Sequence, residues 1–156
     1  MKNKPIIIIN GEPNSIFLEI FFKALDYKKF NHPLILICSF KLLKKQMSKL
    51  KYKKKVNKII YKDLSNLVLN NNAINLIDVN YNQKFAFEKI SNKSKVYVEK
   101  CFNIAFKIIK LGLSNKLING PISKKKFLNK KFLGMTEYIS KNYSIDSSAM
   151  LIFNKK

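Results

Sequence analysis

Three short stretches carry residue types able to do chemistry, and each is a glycine-containing loop running into a helical pattern: "NGEPNS" (10–15), "NGPISK" (119–124) and "GMTEY" (134–138). In the first, Gly11 allows a tight turn and Pro13 stiffens the chain just before a helix. In the second, Gly120 lets the backbone turn or come close to a ligand, and Pro121 fixes φ. Ser123 stands where it can cap the next helix, and Lys124 brings a cation to the loop's mouth. In the third, Thr136 either caps a helix or holds an anionic substrate group, while Glu137 complements the helix dipole. Neither of the first two matches a dinucleotide fingerprint or a P-loop, and as bare pattern each also reads as a structural turn.

Other chemistries lack their parts. The single His32 stands beside Pro33 at the entrance to a strand, as an exposed turn residue, so no Ser-His-Asp, Cys-His or His-rich metal constellation can be assembled. Proton transfer near neutral pH falls to Lys or to carboxylates, among them Asp78 at a strand end. Cys38 in "LILICS" and Cys101 in "VEKCFNIAF" lie in apolar settings with no CxxC, which predicts buried free thiols.

Something must position those loops. "PIIIIN" (5–10) is a β-branched strand and "SIFLEIFFKAL" (15–25) a helix with Ser15 at its N-cap. "PLILICS" (33–39) and "FKLLKKQMSKL" (40–50) repeat strand and helix. After a solvated Lys run come a short strand "KIIY" (58–61), a loop or poorly formed helix at "NLVLNNNA" (66–73), and a strand "INLIDV" (74–79). Residues 80–92 show no period. Val98, Cys101, Phe102, Ala105, Ile108 and Ile109 then mark one face of a long helix with Gly112 at its end. "KLING" (116–120) reads as strand, "SKKKFLN" (123–129) and "TEYISKNY" (136–143) as helices, and "AMLIF" (149–153) as a last strand. Continuously apolar strands alternating with helices predict an α/β fold with parallel strands and helices on both faces.

At 156 residues the chain has the size of one domain, and 47% hydrophobic residues suffice for a core. Its formal charge of +22 invites a nucleic-acid reading, but every basic residue is Lys, without the bidentate guanidinium that groove readers exploit. Together with the many Asn and Ile, this all-Lys bias reads better as A/T-rich codon usage with solvated Lys faces. "MKNKPIIIIN" is too short in its apolar part for a signal peptide, and no segment is long enough to cross a bilayer, which points to a cytoplasmic protein.

Taken in order, "KPIIIINGEPNS", "INLIDV", "INGPISK" and "FLGMTEYIS" resemble the N-terminal half of the 4-hydroxythreonine-4-phosphate dehydrogenase family, in register over essentially all of residues 1–156. The resemblance implies one partial domain of an isopropylmalate-dehydrogenase-like three-layer α/β fold and a homodimer. It also implies NAD-dependent oxidation and decarboxylation of 4-phosphooxy-L-threonine, in the route to pyridoxal 5'-phosphate, with a divalent metal as Lewis acid. On this likeness Thr136 contacts substrate, Lys124 attracts its phosphate, and Gly11, Gly120 and Pro121 shape the loops. The chain departs from the family at two places: Met135 stands where the family has His, and Ser15-Ile16-Phe17-Leu18 replaces a Gly-rich helix start, although Glu19 matches. The family's metal-binding His residues and most cofactor contacts fall in its later half, so the chain alone is expected to be inactive. A non-catalytic relative that binds a phosphorylated metabolite, or dimerises with a full-length partner, is the alternative.

Overall fold

The computed structural model describes residues 3–60, 68–128, 131–144, 148–149 and 151–152. Two compact units emerge, residues 1–122 and 123–156. The first holds five strands, β1 (Ile6–Ile9), β2 (Leu34–Cys38), β3 (Val56–Ile59), β4 (Ile74–Asp78) and β5 (Lys116–Asn119), and three helices, α1 (Phe17–Tyr27), α2 (Phe40–Lys49) and α3 (Asn92–Lys110).

All strand pairings are parallel, in the order β3-β4-β2-β1-β5. Successive side chains of a strand point to opposite faces, so unbroken apolar runs fit only a sheet covered on both sides. Ile7, Ile8, Ile9, Ile35, Leu36, Ile37, Leu76 and Ile77 are accordingly all buried, each contributing roughly 1.5–3 kcal/mol. The sheet's edges are more open: Lys116, Ile118 and Asn119 of β5 are exposed. The connections β1-α1-β2 and β2-α2-β3 run one way across the sheet and β4-α3-β5 runs back. Right-handed crossovers therefore place α1 and α2 on one face and α3 on the other. The observed packing of α1 on α2, and of α3 on β1 and β2, fits this three-layer α/β arrangement.

Several boundaries move from their sequence reading. Helix α1 starts at Phe17 with Ile16 at its N-cap; Ser15 sits one residue earlier and only its Oγ reaches the Phe17 N–H, at 3.4 Å. Strand β3 begins at Val56 inside the expected Lys-rich connection, because pairing with β4 recruits Val56 and Asn57; Tyr61 lies outside the described residues. Helix α3 begins at Asn92, where the Ser91 and Ser94 hydroxyls cap each other's backbone N–H groups. It ends as expected near Gly112, whose left-handed φ of +72° lets Gly112 N–H reach Ile109 O and Leu113 N–H reach Ile108 O.

In the second unit, α4 (Lys124–Phe127) and α5 (Met135–Tyr143) surround a small aromatic cluster in which Tyr138 meets Phe127 and Phe132 edge-on at 5.0 and 5.4 Å. Ala149, Leu151 and Ile152 are not in strand, contrary to the reading of 149–153; Met150 and Phe153 lie outside the described residues. Among the described residues, no helix is long and apolar enough to cross a membrane.

Candidate functional site

Strands β1 and β5 are parallel neighbours with Ile9 opposite Asn119, so the loops that follow them leave the sheet side by side. They bind each other through backbone. Gly120 N–H donates to Ile9 O at 2.8 Å, and Glu12 N–H donates to Pro121 O at 2.9 Å. Gly11 has φ +71°, and a Cβ there would collide with Pro121 O and lie 2.7 Å from Gly120 C. A Cβ on Gly120 would meet Asn10 O and lie 2.8 Å from the Phe17 ring. What Gly120 approaches is thus Asn10 of the adjacent loop. Pro121 is exposed beside it, and Pro13 is buried.

Next to this junction is a buried polar relay. The Tyr97 hydroxyl donates to Asn10 Oδ1 at 2.8 Å and accepts from Ser39 N–H at 3.0 Å. Ser39 caps α2, its Oγ accepting from Leu42 N–H and donating to Tyr81 O. Asp78, the carboxylate named above at the end of β4, is exposed and accepts from Phe40 N–H at 2.8 Å, where the first turn of α2 favours negative charge. Lys58 lies 3.9 Å from its other oxygen. Burial is the main cause that pushes the Tyr97 hydroxyl far above the tyrosine range; it also raises Tyr81 and the thiols of Cys38 and Cys101. Both cysteines are free and buried, as the sequence predicts. These groups hold protons firmly near neutral pH and serve structure rather than proton transfer.

The carboxyl ends of the strands carry an open groove of about 490 Å³ bordered by Tyr81, Asn82, Lys93, Val96, Tyr97 and Lys100. A larger hollow of about 710 Å³, reached by His32, Leu34, Asn72 and Asn75, lies at the opposite end of the sheet. There His32 is half-buried, with Nδ1 3.0 Å from Lys4 O and Nε2 3.2 Å from Lys116 Nζ. Ligands of open parallel sheets gather at the carboxyl ends, which favours the smaller groove.

Gly11, Gly120 and Pro121 are therefore brought together in the first unit, whereas Lys124 and Thr136 belong to the second. Lys124 is the exposed first residue of α4; Ser123 occupies the N-cap but its hydroxyl makes no cap bond. Thr136 is half-buried in the first turn of α5, whose N-cap is Gly134, so Thr136 is not the cap. Sequence reading missed Asn10, Ser39, Tyr81 and Tyr97. Ser39, directly ahead of a helical period, carried an N-cap signal; Tyr97 reaches its partner across 87 residues and carried none.

Among the described residues, no three His, Cys, Asp or Glu side chains stand where they could hold a metal. The missing Cβ atoms of Gly11 and Gly120 are taken up by the contact between the two loops, which leaves neither as bare backbone for a pyrophosphate. A metal or dinucleotide is accordingly placed on none of these residues.

Fold and loops define the class, a three-layer α/β protein with its polar loops at the carboxyl ends of a parallel sheet. The chain belongs to the family of pyridoxal phosphate biosynthetic protein PdxA, whose family model matches residues 29–156. Three solved structures have similar folds. A 4-hydroxythreonine-4-phosphate dehydrogenase from Burkholderia phymatum aligns with TM-score 0.77 at 18% identity, over 93% of this chain and 45% of that one. One from Klebsiella pneumoniae aligns with TM-score 0.74 at 18% identity, over 89% and 44%. A protein from Salmonella typhimurium, provisionally given the same activity, aligns with TM-score 0.80 at 20% identity, over 99% and 49%. The chain thus spans about half the length of the solved structures it matches. No curated protein matches its sequence.

Proposed function

We propose that this chain forms half of a homodimeric, cytoplasmic 4-hydroxythreonine-4-phosphate dehydrogenase, which oxidises and decarboxylates 4-phosphooxy-L-threonine with NAD and a divalent metal. The observation that carries this reading is the family match over residues 29–156. Among the described residues no three His, Cys, Asp or Glu side chains stand where they could hold the divalent metal, and the share assigned to these residues is substrate binding. In this assignment Thr136 hydrogen-bonds the substrate and Lys124 draws in its phosphate, both in the second unit, while Gly11, Gly120 and Pro121 shape the loops of the first.

Calorimetric titration of the chain with 4-phosphooxy-L-threonine tests the reading. Saturable binding is expected, weakened roughly 10-fold by Thr136→Val, as loss of one hydrogen bond to a charged ligand predicts. Absence of binding, or unchanged affinity in the Val variant, removes the assignment.

A second reading rests on Met135, which stands where the family has His: a non-catalytic relative that binds a phosphorylated metabolite or pairs with a full-length partner. A thioether neither donates a hydrogen bond nor carries charge. Rescue of vitamin B6 auxotrophy by the chain alone defeats this reading.

A further inference from the structure

Three side chains of the first unit are each more than nine-tenths buried and carry an oxygen that receives no hydrogen bond from the protein: Glu12 Oε2, Gln46 Oε1 and Gln83 Oε1. Their surroundings are shared. Gln46 Nε2 donates to Pro13 O at 2.7 Å and to Ala86 O at 3.0 Å, and Gln83 Nε2 donates to the same Ala86 O at 3.0 Å. The two carboxamides thus converge on one carbonyl, and one of them is tied to the residue next to Glu12. Those bonds also fix the amide orientations, because exchanging N for O would set oxygen against carbonyl oxygen.

The nearby cation does not resolve the deficit. Lys45 Nζ donates to Gln83 O and Lys84 O, at 2.6 Å each, and Glu12 enters no ion pair among the described residues. A buried carboxylate without a counter-charge is strongly unfavourable, and buried acceptors without donors add to that cost. One water brings two hydrogens to three acceptors and leaves the charge unbalanced. A cation shared among them would balance the charge and supply the acceptors with a partner.

We propose that Glu12, Gln46 and Gln83 hold a small monovalent cation, an alkali ion or ammonium. An all-oxygen set suits hard ions, and one carboxylate with two neutral amides balances one positive charge. The ion would join the loop after β1, helix α2 and the segment leading to α3. This inference is independent of the activity proposed above.

Thermal unfolding of the full chain, with choline chloride replaced by KCl, NaCl or NH4Cl at constant ionic strength, is the test. Constant ionic strength removes general screening, which acts strongly on a chain of net charge +22. A saturable rise in Tm with at least one of these cations is expected, and the cation giving the largest rise identifies the occupant. The rise should vanish in Glu12→Gln. Identical Tm in all four salts, or an equal rise in the variant, overturns the proposal. If that variant does not fold, thallium-205 resonance on the wild-type chain decides. Broadening reversed by the stabilising cation supports a bound monovalent ion, and its absence refutes one.

Discussion

Tyr97 gives the clearest test at the scale of one residue. Replacing it by Phe keeps the ring packed but removes the hydroxyl shared by Asn10 Oδ1 and Ser39 N–H, leaving both unmatched in a buried place. Tyr97→Phe is expected to lower unfolding stability by about 2 kcal/mol, read from the urea midpoint with the m-value unchanged. Cys38 supplies a pH dependence. Burial is the main cause that pushes its thiol from an ordinary 9.0 up to about 12. Between those values the unfolded chain releases a proton that the folded chain keeps, so stability is fully present below pH 9 and falls as pH rises toward 12. Burial raises Cys101 as well, in the same direction. Urea midpoints across that range should decline, and Cys38→Ser should flatten part of the decline.

At the scale of elements, the joined loops after β1 and β5 separate two roles of glycine. Gly120→Ala forces a Cβ against Asn10 O and the Phe17 ring, and the loops must part; a loss of about 2–3 kcal/mol is expected. Gly112 has open space around it, so Gly112→Ala carries only the left-handed backbone cost, about 1 kcal/mol. Equal losses in chemical denaturation would show that the contact between the loops adds nothing. The helix ends matter in the same way, since Ser39 links the start of α2 to Tyr81 and to Tyr97 of α3, two residues that border the groove.

Charge acts on the whole molecule. With 31 Lys against 9 acidic residues, the folded chain repels itself, and its described ion pairs are exposed or partly exposed contacts that contribute little. Raising NaCl from low to physiological concentration should therefore raise Tm in scanning calorimetry, as screening relieves that repulsion. A fall would show that attractive surface pairs outweigh it. The same charge would give any nucleic-acid binding a steep inverse dependence on salt.

The sequence by itself determined the alternation of strands and helices and the burial of both cysteines, because runs of four or five apolar residues and helical periods are local signals. It also placed Gly11 and Gly120 in loops after strands. Only the tertiary structure decided the order β3-β4-β2-β1-β5, which rests on pairings between segments far apart in the chain. That order sets Asn10-Gly11 against Gly120-Pro121, brings Tyr97 to Asn10 and buries Glu12 near Gln46 and Gln83. No local pattern around Glu12 marks it as buried. Gln46 of α2 donates to the neighbouring Pro13 O, and Glu12 N–H donates to Pro121 O, contacts that form only once the crossovers have closed over the sheet.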